Sequence, residues 1–157
     1  MKTDFLHNIL SDLKVDLMDE FDRNFERKGF FDQPWKDTKF PNRRGSLMMR
    51  TGDLRRSLRA NVAGQSVRFY SSLPYASIHN EGGTITVITE MIKFFWAMYY
   101  KTSGAVSKTK KGEARATGRN KALTVEASYW KAMALKKVGS KIKIEQRQFI
   151  GPHRQVD

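Results

Sequence analysis

The triplet His79-Asn80-Glu81 sets an imidazole, an amide and a carboxylate side by side, the residue types found in a ββα-metal nuclease centre. Such a centre draws further histidine or asparagine ligands from an adjoining helix, and the helical segments of this chain supply none. The other histidines, His7 and His153, stand far apart in the chain, with no second histidine or carboxylate at metal-ligand spacing on a shared element. There is no nucleophile elbow, phosphate loop or calcium loop. The glycine pair Gly82-Gly83 lacks the preceding strand that a dinucleotide site requires. With no cysteine in the chain, disulfides and cysteine-based zinc sites are excluded. The sequence therefore reads as a non-enzyme with no metal and no cofactor, and His79 as a partly buried, hydrogen-bonded histidine.

Three other segments carry more information: Thr51-Gly52-Asp53-Leu54-Arg55-Arg56-Ser57-Leu58, Tyr75-Ala76-Ser77-Ile78-His79-Asn80-Glu81-Gly82-Gly83 and Arg147-Gln148-Phe149-Ile150-Gly151. Each joins a conformationally permissive glycine to an apolar anchor and a polar residue, as a turn does when it must hold one geometry against a packed neighbour. Gly52 suits a tight turn, with Thr51 or Asp53 capping the next segment and Leu54 and Leu58 pointing inward. Tyr75 can bury its ring beside Ala76 while its hydroxyl finds a partner, and His79 stands one turn later. Gly52 and Gly83 are expected in conformations that a side chain penalises. Arg147 and Phe149 read as a charged clamp and an apolar anchor, with Gly151 ending the element.

The elements that must position these residues emerge from periodicity. Phe5, Leu6, Ile9, Leu10, Leu13, Leu17, Phe21 and Phe25 recur at helical steps, so residues 4–28 read as a long amphipathic helix ended by Gly29, with Asp12, Asp16, Asp19, Glu20, Asp22 and Glu26 away from the apolar stripe. Residues 30–46, with Pro34, Pro41 and Gly45, read as a loop anchored by Phe30, Phe31 and Trp35. Residues 66–72 alternate as a half-buried strand, and 84–89 and 141–145 are further strand candidates. These segments, with the stretch from 55, are expected to form one antiparallel sheet under the long helix. Residues 75–80 make a short helix after Pro74. Two later helices, 91–100 and 125–138, flank a loop at 101–124 whose Lys108, Lys110, Lys111, Arg115, Arg119 and Lys121 face a single acid, Glu113. Its composition reads as a mobile basic arm. The aromatics Phe94, Phe95, Trp96, Tyr99 and Tyr100 read as a packing face toward Trp130.

The expected class is thus α+β in a single domain over 1–157, with the basic arm as its extension. Hydrophobic residues make up 39% of the chain and mean hydropathy is −0.59, values that suit a globular core with a large polar excess. The apolar run at 92–100 is far shorter than the roughly 20 residues of a membrane helix, so no membrane partner is expected. A net charge of +13 points to nucleic acid through counterion release. The acids gather in the N-terminal helix and the bases in later segments, however, and that separation equally suits contact between copies of the chain.

In order and separation, the three turn segments resemble the phage virion morphogenesis family, the tail completion proteins of tailed phages. The resemblance runs from about Leu47 to Gly151. It implies a structural virion protein at the head-proximal end of the tail or in the neck, assembled in the host cytoplasm, forming a ring of its own copies with six-fold symmetry. It also implies other neck and tail proteins as partners. A twisted antiparallel sheet, a long packing helix and a loop reaching the adjacent subunit are the implied architecture. The basic arm, by its composition, would then meet Asp16, Asp19 and Glu20 of a neighbouring copy, with non-specific contact with packaged DNA as its other target. Two features depart from the family pattern: no proline stands shortly before Arg147, and the basic insertion has no counterpart. The alternative is a basic nucleic-acid-binding module outside any virion.

Overall fold

The computed structural model describes residues 2–39 and 45–156, the side chains of residues 2 and 3 excepted. The loop positions Pro41, Arg43 and Arg44 lie outside the described residues. The chain divides into two compact units, residues 1–83 with 144–157, and residues 84–143.

The first unit is built on α1 (Lys2–Arg27), whose C-terminal half is the apolar centre. Phe21 and Phe25 are 2% and 0% exposed and join Phe30, Trp35, Leu47, Leu54, Leu58, Ala76 and Phe149 in one core. Each such large side chain withdrawn from water contributes about 1.5–3 kcal/mol. Lys28 takes the left-handed conformation that ends the helix (φ 56°), a role expected of Gly29. Residues 29–34, read from sequence as loop, form a tight antiparallel pair, β1 (Gly29–Phe30) and β2 (Gln33–Pro34), which folds Phe30 and Trp35 back onto α1.

The short helix α2 (Asp53–Arg56) leads into the antiparallel hairpin β3 (Leu58–Ala63) and β4 (Ser66–Ser71), with Leu58 opposite Ser71 and Ala60 opposite Phe69. The two-residue period holds: Val67 and Phe69 are partly buried while Arg68 and Tyr70 face water. Phe21 meets Phe69 edge to face with ring centres 5.1 Å apart, so α1 covers the hairpin as the amphipathic pattern requires. A second short helix, α3 (Ala76–Glu81), comes next. At its end Gly82 adopts φ 73° and ψ −178°, a region open in practice to glycine alone, and a Cβ there would lie 3.1 Å from the backbone nitrogen of Gln146. Gly52 and Gly83 also hold positive φ, 78° and 151°, the penalised conformations expected of them, although a Cβ at Gly83 would meet only Ile78 at ordinary contact distance and the steric constraint is tighter at Gly82.

The second unit opens and closes on β5 (Gly83–Thr86) and β6 (Lys141–Ile144), which pair with each other. This corrects the single sheet expected from 55–72, 84–89 and 141–145. The hairpin β3–β4 and the ribbon β5–β6 are separate, and β5 stops at Thr86 because a helix starts at Thr89. Between them run α4 (Thr89–Gly104) and α5 (Gly118–Ala134), both longer than periodicity predicts at the ends facing the loop. The Thr117 side chain accepts a hydrogen bond from the Asn120 backbone N–H, an N-cap that starts α5 seven residues before Val125 and shortens the expected 101–124 loop to 105–117. Phe95 and Phe94 pack on Trp130 at 6.1 and 5.9 Å, the expected aromatic face. Phe94 and Tyr100 remain exposed.

Candidate functional site

The three turn segments converge in the first unit. Thr51, Gly52, Asp53 and Leu54 from the start of α2, Tyr75 and His79 from the α3 region, and Arg147 near the C-terminus all line one cleft of about 460 Å³. Its walls are fixed from behind. Arg55 turns away from the cleft to α1, giving Asp22 a two-pronged ion pair, with Nε 2.6 Å from Oδ1, and placing Nη2 2.7 Å from Glu26 Oε1. Those carboxylates push the guanidinium pKa up. Ser57 is buried, donates to the Leu54 carbonyl at 2.6 Å and meets the Ser71 hydroxyl at 2.6 Å. The cap of α2 is Gly52 itself. Gly52 has no side chain to cap with, and Thr51 stands in beside it: its Oγ1 accepts from the Asp53 backbone N–H at 3.4 Å and donates to Asp53 Oδ2 at 2.5 Å.

The Arg147 backbone N–H donates to the His79 carbonyl at 2.8 Å, and its guanidinium Nε donates to the Lys36 carbonyl at 3.0 Å. The clamp is therefore made to backbone carbonyls, and among the described residues no carboxylate neutralises it. Tyr75 is 45% exposed with its ring edge-on to His79 at 6.0 Å, so its ring is not buried as expected. His79 Nδ1 is buried without a hydrogen-bond partner. Burial pushes the imidazole pKa below its ordinary 6.5, and the charge of Arg147 adds to that effect. In the window between the lowered folded value and 6.5 the unfolded chain binds more protons than the folded one, so stability falls as pH drops through 6.5 and levels off below the folded value. The lowered carboxylates Glu20, Asp32 and Asp53 act in a separate range, losing their contribution only as pH falls below the ordinary carboxylate values. Urea unfolding monitored from pH 7.5 to 5 should therefore show a decline that His79→Gln removes. Equal slopes for parent and variant would mean that the imidazole stays equally protonated in both states.

Sequence reasoning missed the structural role of the asparagines. Asn24 is 0% exposed, accepts from the Phe31 backbone N–H at 2.9 Å and donates to the Phe149 carbonyl at 3.1 Å. The side-chain oxygen of Asn80 accepts from the backbone N–H groups of Phe149 and Ile150 at 2.9 and 3.1 Å. With the Trp35 indole donating to the Gln148 carbonyl at 2.7 Å, these hold the extended Arg147–Gly151 segment, which has no strand partner of its own. The signal lay in Asn24 itself, an amide between Phe21 and Phe25 on an apolar helix face. His153 looks isolated in the sequence, yet it stacks on Phe31 at 4.5 Å and meets Asp32 at 2.9 Å.

In the second unit the basic segment is a hydrogen-bonded hairpin. Lys108 bridges Ala114, the Thr109 N–H donates to the Glu113 carbonyl at 2.7 Å, and Gly112 closes the tip. At its base the buried Asn120 accepts from the Ser107 N–H at 3.1 Å and donates to the carbonyls of Ser107 and Arg115 at 2.8 and 2.7 Å. Lys108, Lys110, Lys111, Arg115, Arg119 and Lys121 all face water, and none is in an ion pair with the described residues. The α1 acids named as their partners differ among themselves. Asp16 and Asp19 are exposed, whereas Glu20 already pairs with Arg23 at 2.8 Å and Arg27 at 2.7 Å. No group of three or more His, Asp or Glu among the described residues could hold a metal ion, and no helix among them is long and apolar enough to cross a membrane.

The sequence profile of the phage virion morphogenesis family matches residues 7–155, nearly the whole chain. The chain belongs to that family. No curated protein and no solved structure shows a significant match. Membership in the phage virion morphogenesis family places the protein in phage virion assembly, and the matched span reaches across both units.

Proposed function

We propose that this chain is a structural component of the phage neck, a tail completion protein that assembles into a ring and joins the tail to the head-proximal connector. The reading needs no cofactor and no catalysis. The observation that carries it, beside family membership, is the uncovered half of α1. Phe5, Ile9 and Leu13 are 70%, 45% and 42% exposed, and they continue the stripe whose other half, Phe21 and Phe25, is the centre of the core. A stripe half used inside the unit and half left in water is suited to burial against a neighbour, and repeated head-to-tail contacts of that kind close into rings. Six-fold symmetry and contacts with other neck and tail proteins belong to this reading.

Native mass measurement of the purified full chain tests it. The parent should form a discrete multimer at micromolar concentration, and Ile9→Glu with Leu13→Glu should yield monomers that unfold at the parent's urea midpoint, since both positions lie outside the core. A parent that stays monomeric at tens of micromolar, or a double variant that assembles unchanged, would remove the uncovered stripe as the seam.

A further inference from the structure

Charge is divided very unevenly between the two units. Residues 84–143 contain thirteen Lys and Arg against Glu90, Glu113 and Glu126 only, a net charge of +10, which leaves +3 for all the rest of the chain. Within that unit the most concentrated positive surface is the hairpin and the first turn of α5. It presents six exposed cations with no carboxylate partner on a segment whose backbone is closed on itself and tied down by a buried asparagine.

The acidic face of α1 on another copy is the protein surface most obviously opposite in sign, but its charge is largely spent. Asp22 and Glu26 are bound to Arg55, and Glu20 to Arg23 and Arg27. Asp12, Asp16 and Asp19 remain exposed without an ion pair among the described residues, three acids for six cations. Pairing the two surfaces would leave half of the cations crowded together without counter-charge. A phosphate backbone has no such shortfall: duplex DNA carries one negative charge per about 1.7 Å of its axis. Preorganisation adds to this, because a hairpin already fixed by Asn120 loses less conformational freedom on binding than an open lysine-rich loop.

We infer that the hairpin from Ser107 to Lys121 is a binding site for the phosphate backbone of duplex nucleic acid, sequence-independent and driven by counterion release. Contacts to phosphate position a duplex and carry no sequence information.

The test is fluorescence anisotropy of the full chain with a labelled duplex of arbitrary sequence, titrated across salt. If all six cations meet phosphates, affinity should fall about 2,000-fold between 50 and 200 mM salt, at a log–log slope of about −0.9 per phosphate. Lys108→Gln, Lys110→Gln and Lys111→Gln together should cut that fall to about 40-fold, as three phosphates are lost. Lys136→Gln with Lys137→Gln, outside the hairpin, should leave the slope as in the parent. The inference is overturned if the parent shows no duplex binding at 50 mM salt, or if the two sets of changes flatten the slope equally for each charge removed. It is also overturned if a peptide of residues 10–21, carrying Asp12, Asp16 and Asp19, binds the hairpin more tightly than the duplex at equal salt. Parallel mass measurement without DNA keeps this result separate from the assembly reading.

Discussion

Phe149→Ala should destabilise the first unit by about 3–5 kcal/mol, the upper range for truncating a buried aromatic. Phe149 is 0% exposed and its ring lies 5.4 Å from that of Phe25, so one contact joins the end of the chain to its first helix. What a truncation costs depends on whether the surroundings can close over the space left. Here they cannot readily do so, because the backbone on both sides is held: Asn80 binds the N–H groups of residues 149 and 150, Asn24 the carbonyl of 149 and Trp35 that of 148. The cavity should persist. Amide hydrogen exchange in the C-terminal half of α1, compared between parent and variant, reads the loss in this unit without interference from the other. A control, Phe69→Ala, removes a side chain only partly buried at the hairpin and should cost less. A loss below about 1.5 kcal/mol for Phe149→Ala would show that the C-terminal segment is peripheral to folding.

The long helix, the β3–β4 hairpin and the α4–α5 pair were legible because each is local: a periodic run of apolar residues implies a face, and a face implies something to cover. Strand partnership was not. Residues 84–86 and 141–144 read correctly as strands, but nothing in four residues says which edge they will join, and they joined each other. Loop boundaries failed for a related reason. The start of α5 is set by the Thr117 cap and by Asn120, polar residues that look like loop composition until their hydrogen bonds are seen. At the cleft, the three motifs announced fixed turns but not that those turns face each other, since Arg147 and His79 join through a backbone hydrogen bond between segments far apart in the sequence. The asparagines illustrate the general limit: an amide in an apolar neighbourhood signals that irregular backbone must be satisfied there, while which backbone it satisfies is a property of the fold.

Asn24→Leu should cost about 2–5 kcal/mol, although leucine is more apolar and the site is fully buried. Asn24 serves two backbone groups, the N–H of Phe31 and the carbonyl of Phe149, and removing the amide strands both without water. Leaving a buried donor or acceptor unmade costs about 1–3 kcal/mol each, more than the transfer free energy gained by an extra aliphatic group can return. Asn24→Asp separates the two bonds. Its carboxylate can still accept from Phe31 but sets negative charge against the Phe149 carbonyl, whereas the protonated acid supplies an O–H that can donate there. Burial raises such a carboxyl pKa, and the proton-bound form is the one the fold accommodates. Relative to the parent, the Asp variant should therefore recover stability as pH falls from 7 toward 5, and the Leu variant should not. Urea midpoints for the three proteins across that range decide the matter. If Asn24→Leu matches the parent, or if the Asp variant loses ground on acidification, the amide is not what holds the C-terminal segment to α1.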